Sequence, residues 1–126
     1  QLTRLYAARD KITVVDEIQA KTKEGYLQQR MLLTIEEYKN EIQTLENENN
    51  TLKEKIENIK ARNQELEEGK KYQTSIEIAE TEKTIENNNS LIASTEKLIR
   101  DNENKITEYE NLIDQTNQNY EASVSQ

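Results

Sequence analysis

Isoleucine returns at every seventh position through the last third of the chain, at Ile78, Ile85, Ile92, Ile99, Ile106 and Ile113, and Tyr120 keeps the interval. An apolar residue every seven positions stays on one side of a helix only if helices wind around each other with a left-handed supercoil. The pattern therefore predicts helices that lie against other helices. Residues 36–66 carry a more regular form of it. With Ile35, Ile42, Asn49, Ile56 and Asn63 at heptad position a, position d is filled by Tyr38, Leu45, Leu52, Ile59 and Leu66. Isoleucine at a with leucine at d favours two parallel strands, and a buried Asn at a fixes register while lowering stability. Two such Asn residues, fourteen positions apart, imply that register matters here.

The flanking charges bear on the partner. In this frame g holds Glu41, Glu48, Lys55 and Arg62, and e holds Glu46, Lys53, Lys60 and Glu67. A parallel homodimer would pair Glu48 with Lys53 and Arg62 with Glu67. It would also set Glu41 against Glu46 and Lys55 against Lys60. Two attractions against two repulsions, each about a few tenths of a kcal/mol, favour a different chain as partner over a second copy.

Residues 67–77 break the phase. The pattern slips around Glu67-Glu68-Gly69-Lys70-Lys71. One Gly, no Pro and helix-favouring Glu and Lys on both sides predict a kink in a continuous helix. The alternative is a hairpin, with Gly69 capping the first helix and the Ile stripe folded back on residues 36–66.

In residues 78–120, with Ile at a, position d reads Thr81, Asn88, Thr95, Asn102, Tyr109 and Thr116, while Leu91, Leu98 and Leu112 take g. Polar residues in half the layers make a poor dimer seam. Either g and a together form a broad face in a bundle of three or more helices, or the polar d residues form hydrogen-bonded layers of a fibrous trimer. Residues 121–126 hold no pattern beyond Val124 and are expected to fray.

Residues 1–35 are richer in apolar side chains than the rest. Leu5, Ala8, Ile12 and Val15 step by three and four, and Val14 and Ile18 widen the stripe beyond a two-stranded seam. This is the expected docking face. A second register break is expected near residues 16–30, where the stripe blurs and Gly25 weakens the helix by about 1 kcal/mol relative to Ala. The six Tyr residues sit mostly at or beside the seam, where a ring fills a wide layer and its hydroxyl reaches water.

Composition narrows the function. The 126 residues include no Pro, Cys, His, Trp or Phe and two Gly, with a hydrophobic share of 33%. Mean hydropathy is −1.07. That is too little apolar surface for a closed core and enough for a narrow shared seam; the in-phase placement of the apolar residues argues against disorder. A net charge of −8 disfavours nucleic acid and anionic membranes as partners. Arg4, Arg9, Lys11, Lys21, Lys23 and Arg30 outnumber Asp10, Asp16, Glu17 and Glu24 by two over residues 1–34, so the remainder carries ten negative charges. No apolar run approaches the ~20 residues of a membrane span. The chain opens on Gln1, which fits a processed form or part of a longer protein.

Without His or Cys, the commonest general base, zinc ligands and thiol nucleophile are missing, and no phosphate loop or calcium loop occurs. The pairs Glu36-Glu37 and Glu67-Glu68 are helical neighbours that diverge instead of converging on one point. Leu45, Leu52, Ile59 and Leu66 look zipper-like, yet Leu27, Met31, Leu32, Leu33 and Ile35 stand where a DNA-binding zipper needs its basic region. Repeated Asn and Thr layers also disfavour a membrane-fusion helix. No enzyme activity, cofactor, metal or small-molecule substrate is expected.

The expectation is an all-α, elongated coiled coil: one long helix with register breaks near residues 16–30 and 67–77. Its expected role is a non-catalytic scaffold in a filamentous or cytoskeletal assembly of axonemal, kinetochore or tether type, partnered by other coiled-coil chains. The alternatives are a self-trimerising stalk of an extracellular bacterial or phage fibre and a compact antiparallel hairpin adaptor. The compartment stays open, with a cytoskeletal setting favoured.

Overall fold

A computed structural model of the protein describes residues 23–125. The expected docking face, Leu5, Ala8, Ile12, Val14, Val15 and Ile18, lies outside the described residues. The fold is all-α. Helix α1 spans Lys23–Gly69, a single 3-10 turn spans Lys70–Tyr72, and helix α2 spans Ser75–Val124. Gly25 lies inside α1, and no helical break occurs over residues 23–30. At the other end α2 continues to Val124, past the point where fraying was expected, and the Ser125 amide donates to the Glu121 carbonyl at 3.0 Å.

Neither helix contains Pro, and β-branched residues inside them are accommodated locally. Thr34, Thr44, Thr51 and Thr84 each donate their hydroxyl to the carbonyl four residues back, at 2.9, 3.0, 3.3 and 3.1 Å. A hydroxyl that bonds its own helix asks nothing of a neighbour. Ion pairs such as Glu36–Lys39, Glu57–Lys60, Arg62–Glu65 and Lys97–Asp101 lie within single helical turns on exposed faces and add about a few tenths of a kcal/mol each.

The phase slip at residues 67–77 is a chain reversal, not a kink in one helix. α1 ends at Gly69, yet Gly69 is not the left-handed cap expected of a hairpin: its φ and ψ of −68° and −19° are helical. Among the described residues no backbone has positive φ. The direction changes at Gln73, which is extended at φ −108° and ψ 156° and whose amide donates to the Lys70 carbonyl at 3.0 Å. Lys70 also pairs with Glu67 at 2.8 Å. α2 then starts on a reciprocal cap. The Glu77 amide donates to the Thr74 hydroxyl at 3.3 Å, and the Thr74 amide donates to the Glu77 carboxylate at 2.9 Å. Two backbone donors at a helix start, which otherwise lack partners, are thereby satisfied.

The chain divides into two compact units. One is residues 47–103, which contains the turn. Within it Asn49 meets Asn102 and Asn63 meets Asn88, so α2 runs back along α1 as a helical hairpin. Of the described residues, the other unit joins 23–46 with 104–125. There the rings of Tyr38 and Tyr109 lie 5.6 Å apart at a tilt of 39°, in the range of favourable aromatic pairs.

Two outcomes follow from the turn. A side chain at Gly69 would meet nothing within 4 Å, and its backbone is already helical. Gly69→Ala is therefore expected to raise stability by about 0.5–1 kcal/mol in urea denaturation, whereas a left-handed cap would lose about as much. The Thr74 amide, and then the Thr74 hydroxyl, hold the Glu77 carboxyl below its ordinary value of 4.5. A depressed folded pKa contributes stability above the unfolded value and loses it as pH falls through the folded one. The stability advantage of the wild type over Glu77→Gln is expected to persist near neutrality and shrink below about pH 4.5, read from thermal melts across pH.

Candidate helix–helix interface

Residues buried in the described chain are more often polar than apolar. Ile35, Ile56 and Ile99 are the buried hydrophobic side chains, and Asn49, Thr81, Thr95 and Asn102 are buried polar ones. Burying an amide or hydroxyl without a partner costs about 1–3 kcal/mol, so the partners decide whether such an interface holds.

The Asn residues find one another. In the unit of residues 47–103, Asn102 Nδ2 donates to Asn49 Oδ1 at 2.9 Å and to Glu48 Oε1 at 3.0 Å, and Asn49 Nδ2 reaches the Ile99 carbonyl at 3.4 Å. Asn88 Nδ2 donates to Asn63 Oδ1 at 2.8 Å, and Asn63 Nδ2 donates to Asn89 Oδ1 at 3.0 Å. From Asn49 to Asn63 the chain advances fourteen residues; from Asn102 to Asn88 it retreats fourteen. One register therefore governs the unit: position a of α1 lies level with d of α2, and d with a. By this register Leu52 is level with Ile99, Ile59 with Ile92 and Leu66 with Ile85, all partly or fully withdrawn from solvent.

The threonines solve the same problem differently. Thr95, 2% exposed, donates its hydroxyl to the Leu91 carbonyl of its own helix at 2.7 Å, which leaves its methyl for the seam beside Ile56. Thr81 donates to the Gln73 side-chain oxygen at 2.8 Å and ties α2 to the turn. In the other unit Thr116 bonds the Leu112 carbonyl at 2.7 Å. Among the described residues no buried side-chain nitrogen or oxygen lacks a partner.

The expected seam maps onto these elements as follows. Ile35, Asn49, Ile56 and Ile99 are buried; Tyr38, Ile42, Leu45, Leu52, Ile59, Asn63, Leu66, Ile78, Ile85, Ile92, Ile106, Ile113 and Tyr120 are half-buried. Leu91, Leu98 and Leu112 at g are 42%, 52% and 39% exposed on the single chain, while Thr81, Thr95 and Asn102 at d are buried. Asn88 and Asn102 pair with Asn63 and Asn49 of the same chain. Tyr26 and Tyr72 are also exposed and stand away from any seam.

The cap formed by Thr74 and Glu77 escaped the sequence reading, although Thr74-Ser75-Ile76-Glu77 carries the spacing of a helix start. The Asn cross-pairs escaped it too. Their signal was the matching fourteen-residue spacing of Asn49 with Asn63 and of Asn88 with Asn102.

A groove of about 300 Å³ runs beside the seam in the unit of residues 47–103, floored by Ile56 and Ile99 and rimmed by Lys53, Lys60 and Arg100 with Glu57 and Glu96. Its cations and carboxylates are interleaved, without the convergent polar groups of a small-molecule site. Among the described residues no group of three or more carboxylates is placed to hold a metal ion, and no helix is long and apolar enough to cross a membrane. Comparison with protein-family models, curated proteins and solved structures finds no match for the chain.

Removing one amide separates pairing from burial. Asn49→Leu leaves Asn102 buried with Glu48 as its remaining partner and is expected to cost about 1–3 kcal/mol in urea denaturation. Asn49→Leu with Asn102→Leu is expected to recover that loss or exceed the wild type, with a coupling of about 0.5–3 kcal/mol between the two sites.

Proposed function

We propose that the chain is a non-catalytic structural module, a helical-hairpin adaptor of coiled-coil type that acts by helix–helix association inside a larger scaffold. The observation that carries this reading is the pairing of Asn49 with Asn102 and of Asn63 with Asn88. The seam residues that would otherwise recruit a second chain are occupied within the chain itself. Association with other helices then falls to apolar positions left outside the seam, Leu91 and Leu98 foremost. They repeat at the heptad interval on one side of α2 and suit a helix with the same spacing. The partner in this reading is a different helical chain of a filamentous or cytoskeletal scaffold, and the chain needs no cofactor, nucleic acid, membrane or small-molecule substrate.

Sedimentation equilibrium combined with circular dichroism tests it. A hairpin adaptor is expected to be a strongly helical monomer at micromolar concentration; an obligate trimer would replace it with the fibre-stalk reading. Leu91→Glu with Leu98→Glu is expected to leave helicity intact and shift stability by no more than about 0.5 kcal/mol, because exposed side chains contribute little to the fold.

A further inference from the structure

We propose that the turn between α1 and α2 is a domain-swapping hinge, and that the partner it admits is a second copy of this chain whose α2 takes the place of the first chain's own. The proposal rests on the hairpin geometry of residues 47–103, not on the scaffold role.

Four observations bear on the turn. Gly69 is helical, and Lys70, Lys71 and Tyr72 already form a 3-10 turn close to helical geometry. Gln73 is the extended residue, and no position in the turn adopts a left-handed backbone that would resist helix. Straightening the turn thus amounts to turning Gln73, with the capping residue Thr74, into helix. The ties that oppose this are few: the Gln73 amide on Lys70, the Thr81 hydroxyl on Gln73, and the reciprocal bonds of Thr74 with Glu77. Straightening also withdraws little apolar surface at the turn itself, because Tyr72 and Ile76 are 83% and 76% exposed.

The seam has the symmetry a swap needs. Its layers join α1 to an antiparallel α2 and are blind to which copy supplies it. In a swapped pair Asn49 of each copy meets Asn102 of the other, and Asn63 meets Asn88, so every amide keeps its partner twice over around a twofold axis. That axis falls at the turn. There the straightened helix carries one residue beyond a heptad, since Lys70 follows Asn63 by seven and Ile78 follows Lys70 by eight. A single extra residue changes the local winding without ending a helix. A short hinge loop between two packed elements is the usual site of such exchange.

The chain contains no Cys, so introduced thiols report without background. Asn63→Cys with Asn88→Cys, joined by a short thiol-specific linker, bridges within one chain in the hairpin and between chains in the swapped pair. Asn49 and Asn102 stay in place to hold register. With the natural turn, dilute protein is expected to give an intrachain bridge, and refolding at rising concentration a growing share of covalent dimer. Adding Gln73→Ala and Thr74→Ala removes the two side-chain ties, the Gln73 oxygen that accepts from Thr81 and the Thr74 hydroxyl that accepts from the Glu77 amide, supplies helix formers, and is expected to raise the interchain share on the order of tenfold with helicity retained. Sedimentation equilibrium should then show a dimer. A hinge variant that keeps only intrachain bridges, whether as monomer or as a side-by-side dimer, overturns the proposal. So does one that loses its helical signal, because the proposal requires residues 69–74 to accept helix. A trimeric wild type would overturn the adaptor role and leave the origin of the bridges as a separate readout.

Discussion

Two pairs of amides, Asn49 with Asn102 buried and Asn63 with Asn88 half-buried, govern the hairpin of residues 47–103. An amide removed from water must bond to something, and the partners of Asn49 and Asn63 stand fourteen residues apart on the opposing helix. Sliding α2 by one heptad would set Asn63 against Thr81 or Thr95, whose hydroxyls are already committed to Gln73 and Leu91. Aliphatic layers such as Leu52 with Ile99 would tolerate the slide, since one heptad brings isoleucine back to the same place. The isoleucine repeat therefore supplies adhesion, and the asparagines supply the address. Polar groups buried in a seam trade stability for specificity in just this way in other helical pairs.

The remaining polar layers stay compatible with a seam because each hydroxyl is settled near home. Thr95 hands its proton to its own helix and behaves toward α1 as a small branched apolar residue. Thr81 reaches the turn instead and couples the first turns of α2 to Gln73. The reciprocal cap of Thr74 and Glu77 marks where α2 begins, and the reversal needs no left-handed glycine because the chain turns over Gln73, which is extended, and the capping residue Thr74. Surface charge contributes little to this outcome, since ion pairs such as Lys97–Asp101 lie along single helices.

Helix content was plain in the sequence: the sevenfold isoleucine interval and the lack of Pro leave little else. Reversal was harder to read, for a physical reason. Gly69 invited a choice between a left-handed cap and a kink, and it is neither, being helical; the redirecting residue is a glutamine whose type carries no turn signal. The interface was half legible. Isoleucine and leucine positions followed from periodicity. The asparagines were assigned to layers of separate oligomers because Asn49 and Asn63 sit at a in one frame, and Asn88 and Asn102 at d in another shifted by one residue. Only an antiparallel pairing makes a meet d. Leu91 and Leu98 show the converse: apolar character offered them a place in a broad bundle face, and with Asn88 and Asn102 paired to α1 they stand exposed on the single chain.

The mutual dependence of these amides also reaches into how such a sequence can drift. A change at Asn49 alone strands a buried group at Asn102, whereas a joint change to two aliphatic residues does not. The same bond of fate joins Asn63 to Asn88. Isoleucine positions, each dispensable in small steps toward valine or leucine, are free to wander one at a time. Descendants of this chain should thus inherit positions 49 and 102 as a couple, and 63 and 88 as another, each lost or kept together while the aliphatic stripe around them varies singly.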